Sequence, residues 1–386
     1  MTERLYYDQT YLKEFDARVT RLKEENGGCW AALDRSAFYP TSGGQPYDTG
    51  VLESASGCVR VTDVEADAEG EVWHRVEGPL TVGGTVHGRI DWERRFDHMQ
   101  QHGGEHMVAG AVYTLFGGMT IGLHLGAEDS TIDVTMPDGS TRFTDEMIPA
   151  LEENVNRHIQ EDARVRCWFP TEEELKALPL RKPPTVTEHV RIVAFGDYEM
   201  VACGGTHPSS AGQIGLMKIL SVTPSRGKAR IRFVCGMRAF RYVSLCARAA
   251  EEAGKMLSAS PDKLMGAVLE MKERLSNTEK LLREERANAC LSLLEKQEGM
   301  LYLEQGDPKA LQEAVSRYIL TSGRCAVTGA GHRLIFARSA DVSADMAQLL
   351  RAVARGGGRP DMASGDGDGE AVLRAQQLLK EMVSPK

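Results

Sequence analysis

The chain has no apolar run approaching the ~18–20 residues that a membrane-spanning helix needs, so no such span is expected. Its first residues, Met1-Thr2-Glu3-Arg4, open no apolar segment of the secretory-signal kind. The eight cysteines, scattered from Cys29 to Cys325, are too sparse for a disulfide scaffold. Together these absences predict a reducing cytoplasm, with most thiols present as small buried or half-buried side chains. A surplus of positive charge is also missing. Lys and Arg number 46 against 55 Asp and Glu, a net charge of −9. That balance argues against a non-specific polyanion binder and leaves room for a local basic patch. Arg94/Arg95, the stretch from Arg226 to Arg232 and Arg351/Arg355/Arg359 are the candidates, each equally readable as solvated surface. What is present is ordinary for a globular protein, 42% hydrophobic and 26% charged. At 386 residues there is material for two or more domains with their own cores.

Patterning suggests an α+β chain in four parts. Residues 1–92 carry short strand-like runs at 30–33, 58–64, 71–76 and 85–90. Turn clusters separate them, Asn26-Gly27-Gly28 and Val82-Gly83-Gly84 among them. Many short strands with frequent turns predict a small β-barrel or sandwich. Within it lies Phe38-Tyr39-Pro40-Thr41-Ser42-Gly43-Gly44-Gln45-Pro46-Tyr47-Asp48. Gly43 and Gly44 there permit a close ligand approach that a Cβ would block. Residues 93–238 read as mixed α+β. A helix over 94–116 is followed by strands at 120–125 and 131–135, then a helix over 144–162 with Thr144 as N-cap. Further strands follow at 164–169, 189–195, 199–202, 214–220 and 230–234.

Residues 239–300 are helical in character. Leu264, Val268, Met271 and Leu275 follow 4-3-4 spacing between charged flanks, as in a helical hairpin or short coiled coil. Such a helix packs within one domain or joins two copies in a homodimer. Residues 301–386 read as a small α/β unit, with strands at 325–327 and 333–337 and helices at 344–354 and 371–382. Between those helices, Gly356-Gly357-Gly358-Arg359 is read either as a phosphate cradle or as a flexible turn.

The chemistry is carried by two distant stretches, His102-Gly103-Gly104-Glu105-His106 and Cys203-Gly204-Gly205-Thr206-His207. Each sets two zinc donors four positions apart. On a helix, positions i and i+4 share a face, so His102 and His106 can address one ion. Cys203 and His207 complete a donor set that zinc accepts in tetrahedral geometry. Gly103 and Gly104 each cost roughly 1 kcal/mol in a helix relative to Ala, which implies a close approach by substrate or another part of the chain.

These residues are similar to those of the editing domain of alanyl-tRNA synthetases and of the free-standing alanyl-tRNA editing proteins (the AlaX family, long form). The stretch Phe38–Gly50 resembles that family's glycine motif, and Gly212-Gln213-Ile214-Gly215 and Phe233–Arg238 resemble its downstream pattern. Residues 356–365 resemble the DHH-associated C-terminal domain. The resemblance implies hydrolysis, in trans and without ATP, of tRNA(Ala) mischarged with serine or with glycine. It also implies that the chain does not itself charge tRNA, since the barrel begins almost at residue 1. His102, His106, Cys203 and His207 become the zinc ligands. Glu105 becomes the candidate general base. Thr41 and Gln45 become candidate readers of the serine hydroxyl, and His124 a candidate for the pocket wall. His98, one turn before His102, is given a supporting or substrate role, and Arg355 and Arg359 are candidate tRNA contacts. The Gly-Gly-Glu between the histidines departs from the family's Thr-Ala or Ser-Ala. Two other readings compete. His102-x-x-Glu105-His106 also fits an inverzincin metalloprotease, which requires a carboxylate as third ligand. A non-catalytic, zinc-containing tRNA-binding protein would hold the metal in a closed structural site.

Overall fold

In the strand Glu14–Glu25, Phe15, Ala17 and Val19 are buried while Glu14, Asp16 and Arg18 are exposed. This period-two pattern turns one face of the strand inward. Five more strands join it and close a barrel in the order Glu14–Glu25, Gly28–Leu33, Val72–Glu77, Gly57–Ala66, Gly50–Ser54, Thr85–Ile90. Leu33, Phe38, Leu52, Val61 and Val64 fill its interior with essentially no exposure. The structure, a computed structural model, describes residues 1–383 except 26 and 187. Asn26 of the expected Asn26-Gly27-Gly28 turn and residues 384–386 of the C-terminal part therefore lie outside the described residues.

The long helix Trp92–Phe116 follows the barrel, and nearly every residue from His98 to Val112 is buried. It starts on a salt bridge. The Arg95 guanidinium binds Asp48 of the Phe38–Asp48 stretch, with both side chains fully buried. Arg95 also donates to the carbonyls of Thr10 (2.9 Å) and Ala37 (2.6 Å), and Asp48 accepts from the Tyr39 amide (2.7 Å). A buried pair satisfied on all sides costs little to keep, whereas removing one partner costs ~3–5 kcal/mol. Asp48 therefore locks the glycine-rich stretch to the helix that carries the histidines.

Behind the helix stands a four-stranded sheet in the order Met217–Ser225, Lys228–Cys235, Ser130–Thr135, Met119–Leu125. The close approach expected at the helix glycines is made by protein side chains. A Cβ on Gly104 would strike the Cys235 sulfur, and one on Gly103 would crowd Ile214 at 3.0 Å. Gln101 fastens the same contact, bonding the amide and carbonyl of Cys235 at 2.9 and 3.1 Å. A three-stranded sheet, Val165–Trp168, Ile192–Phe195, Glu199–Ala202, supplies the strand that leads into Cys203. The second expected helix begins three residues late, at Met147, and is capped by Glu146 without a side-chain bond. Thr144 gives its backbone amide to the Met147 sulfur and does not act as the N-cap.

The chain divides into two compact units, Met1–Ala249 and Ala250–Lys386. In the second unit a five-stranded sheet runs Met300–Leu303, Cys325–Ala330, Arg333–Arg338, Met362–Asp366, Arg355–Gly358. Leu334 and Phe336 pack on one face of it, with the helices Met346–Val353 and Gly369–Val383. Ile335 and Ala337 pack on the other face, with Pro308–Tyr318. The glycine run that sequence reads as a turn or phosphate cradle is an edge strand, paired antiparallel from Gly356↔Gly365 to Gly358↔Ala363. A Cβ on Gly356 would press on the Gly365 backbone, so the glycines let two main chains pack closely. Arg355 and Arg359 are exposed on this edge, and Arg359 pairs with Asp361 at 3.3 Å.

Candidate metal centre and its cavity

His102 and His106 lie one helical turn apart with their rings stacked, centroids 5.2 Å apart and planes at 10°. The loop after Glu199–Ala202 brings Cys203 and His207 to them. The Cys203 sulfur stands 3.3 Å from His102 Nε2 and 3.6 Å from His207 Nε2, and His207 Nε2 stands 3.1 Å from His106 Nε2. All four donor atoms lie within 4.8 Å of one another. A tetrahedral ion held at roughly 2.0–2.3 Å by each donor spaces its ligands about 3.3–3.6 Å apart, so the side chains fit zinc.

The polar atoms around the cluster fit a metal as well. Gln45 Oε1 accepts from His102 Nδ1–H (2.8 Å) and from the Thr206 amide (3.0 Å), while its amide nitrogen donates to Thr206 Oγ1 (2.8 Å). With the proton fixed on Nδ1, His102 Nε2 presents a bare lone pair to the sulfur. Such a carboxamide partner orients a ligating imidazole and sets its tautomer. Gly205 is needed for the same packing, because a Cβ there would collide with the His102 ring. Arg191 holds the loop from the other side, donating to the carbonyls of Cys203 (3.0 Å) and Gly205 (2.9 Å). Tyr39 adds a bond to the Gly204 carbonyl at 3.2 Å.

Burial sets the protonation of the donors. It pushes His102 down to about 3, and takes His106 and His207 well below the usual imidazole range. All three are therefore neutral, the form that binds metal. Burial raises the Cys203 thiol to about 12, so the thiol must give up a proton when a metal binds.

A cavity of about 560 Å³ opens beside the cluster, lined by His102, His106 and Cys203 together with Glu105, Ser42 and Gly43. Glu105 Oε2 stands 3.9 Å from His106 Nδ1. Burial raises its carboxyl to about 7, with Arg181 opposing and Glu199 adding to the shift. Arg181 is itself clasped by Glu199 at 2.8 and 3.0 Å and donates to Thr120 Oγ1 at 2.9 Å.

The remaining sequence candidates are distributed unevenly. Gly44 has φ +83°, a Cβ there would crowd Leu123 at 3.0 Å, and its carbonyl accepts from the Leu125 amide at 3.2 Å, so it seats the glycine stretch on a neighbouring strand. Gln45 is fully buried, with both ends of its amide used on His102 and Thr206. Thr41 is exposed, and His124 is exposed on Met119–Leu125; neither is among the cavity-lining residues, whereas Ile121, Gly122 and Leu123 are. His98 is buried outside the cluster, with Nδ1 unpartnered and its pKa brought by burial to about 3. Sequence reasoning did not single out Arg4, Tyr7, Phe169, Arg181, Lys182 or Arg191, all of which line the cavity. A signal existed for Arg191. An arginine inside the apolar run Val190–Phe195 has to find partners in the interior.

Residues 2–94 match the family described as tRNA synthetases class II (A). Residues 190–232 match the threonyl and alanyl tRNA synthetase second additional domain. The alanine–tRNA ligase of Pyrococcus furiosus is 37% identical over 73% of this chain and 32% of the ligase. The chain thus spans about a third of that relative's length, and 43% of the alanine–tRNA ligase of Thermococcus kodakarensis. The alanyl-tRNA editing protein AlaX-L of Pyrococcus horikoshii is 35% identical over 62% of this chain and 59% of its own length. AlaX-M of Saccharolobus solfataricus is 34% identical over 60% of this chain and 97% of its own length.

Proposed function

Because the chain belongs to the alanyl-tRNA editing family, we propose that it hydrolyses the aminoacyl ester of tRNA(Ala) mischarged with serine, and with glycine as a second substrate. The observation that carries this reading is the convergence of His102, His106, Cys203 and His207 beside an open cavity. A structural zinc site is closed off by its ligands, whereas three of these four donors face the cavity. The donor set also argues against the metalloprotease reading. It holds three imidazoles and a thiol, and no carboxylate among the described residues.

Zinc, when bound, would supply positive charge that polarises the ester or anchors the substrate's amino group. The chain's own residues do the rest. Glu105, a carboxyl whose burial brings it to about 7, exchanges a proton at Oε2 with water entering the cavity. Gln45 and Arg191 hold the imidazole and the Cys203 loop in place. The eight free cysteines fit a reducing cytoplasm. On the helix Leu264–Lys296, the exposed side chains of Val268, Met271, Leu275 and Leu282 are assigned to a homodimer contact, which sedimentation of the full chain tests.

The deciding experiment incubates the protein with Ser-, Gly- and Ala-charged tRNA(Ala) and with a peptide. Release of serine while the alanyl ester survives supports editing. Peptide cleavage supports the protease, and binding without turnover supports a non-catalytic tRNA binder.

A further inference from the structure

The cavity is larger than a seryl group requires. At about 560 Å³ it falls within the ~300–1,000 Å³ range of sites that enclose much larger ligands. Part of its wall also has chemistry that a small ester does not need. Phe169 is 48% exposed there, edge-on to Tyr7 with centroids 6.0 Å apart and planes at 77°. The Tyr7 ring is in turn covered by the Arg191 guanidinium at 5.3 Å. Since Arg191 also grips the Cys203 loop, the aromatic pair is fixed relative to the metal donors.

The charge of the wall runs against that of the chain. In a protein of net charge −9, Arg4, Arg181, Lys182 and Arg191 line the cavity against Glu105 and Glu188. Arg181 is neutralised by Glu199. Lys182 makes no ion pair or hydrogen bond among the described residues, and it feels the carboxylates of Glu105 and Glu199 and the His106 ring at longer range. An exposed ring and an unpaired ammonium lining one cavity are the combination that single-stranded nucleic acid uses, with stacking for the base and a cation for the backbone.

We infer that Phe169 and Lys182 form a subsite for the last nucleotide of the RNA. Its base packs on the Phe169 ring, and its 5′ phosphodiester lies at Lys182 Nζ. This inference rests on the substrate class proposed above, and it assigns two residues that hold no metal and touch no metal ligand in the described contacts.

The test measures binding of the full chain to an RNA hairpin with a single-stranded Cyt-Cyt-Ade 3′ end. Two altered hairpins are compared with it, one lacking the final base and one carrying a neutral methylphosphonate as the last linkage. Wild type is expected to bind the parent RNA roughly tenfold more tightly than either altered form. Phe169→Ala should erase the preference for the base and keep that for the charged linkage. Lys182→Ala should do the reverse and lower the salt dependence by ~0.7 in log–log slope, one phosphate contact. Phe169→Tyr and Lys182→Arg should restore both preferences, and zinc content of each variant reports whether the donor cluster stays intact. Equal affinity of wild type for the three RNAs, or both preferences surviving in both alanine variants, overturns the subsite. Serine release from the charged hairpin is read in parallel. Binding with both preferences but no release contradicts the proposed hydrolysis and leaves the subsite standing. Release without the preferences does the opposite.

Discussion

Replacing Gln45 by Leu isolates the role of the carboxamide behind His102. The side chain has similar volume and no polar atoms, so it leaves His102 Nδ1–H and the Thr206 amide without an acceptor in a fully buried place. Each stranded donor costs about 1–3 kcal/mol, so folding stability should fall by roughly 2–6 kcal/mol before relaxation. The larger consequence is at the metal. Without Gln45, neither the tautomer nor the ring angle of His102 is fixed, and loss of such a partner lowers metal affinity ~10–100-fold. Gln45→Glu keeps both accepted bonds and loses only the donation to Thr206 Oγ1 at 2.8 Å, so it should restore most of the affinity. Competition with a chromophoric chelator measures the affinities, and thermal unfolding of the metal-free protein measures the stability. A folded Gln45→Leu protein that binds zinc as tightly as wild type would refute the argument.

Other expectations follow from the same geometry. Burial brings His102 to about 3 and holds His106 and His207 well below the usual imidazole range, while the thiol is protonated below about 12, so zinc uptake between pH 5 and 9 should release one proton, from Cys203. Apparent affinity should then rise about tenfold per pH unit, and release of two or more protons by calorimetry in buffers of different ionisation heat would contradict this. Arg95→Met strands the buried Asp48 carboxylate and should cost ~3–5 kcal/mol in denaturant unfolding, whereas a change below about 1 kcal/mol would mean that the pair is not needed. Glu105→Gln should lower serine release on the order of 10²-fold with zinc content unchanged, as loss of a proton-exchanging group does. Thr41→Val should leave Ser-over-Ala selectivity intact, since Thr41 is not among the cavity-lining residues.

Much of the site was legible because its donors are rare residue types at diagnostic spacing. His102 and His106 needed only the helix period, and the Cys203 pair only a loop to return it. Contacts that couple distant segments were not legible. Gln45 lies 57 positions from His102, and its amide is indistinguishable in sequence from a substrate-reading one. In the barrel, the run at residues 85–90 was found where it lies. Glu14–Glu25 was missed because seven of its twelve residues are charged and mask the alternation of Phe15, Ala17 and Val19. Gly356–Gly358 reads as a turn from residue type alone, since glycine prefers no strand. Its strand character comes from Met362–Asp366 beside it, which only the fold reveals.

The most direct test of the central claim is X-ray absorption at the zinc edge of the metal-loaded protein. The account predicts one zinc per chain with three nitrogen neighbours at roughly 2.0–2.1 Å and one sulfur at about 2.3 Å, the sulfur signal vanishing in Cys203→Ser. A shell of oxygen atoms, or sulfur scattering that survives that substitution, would contradict it.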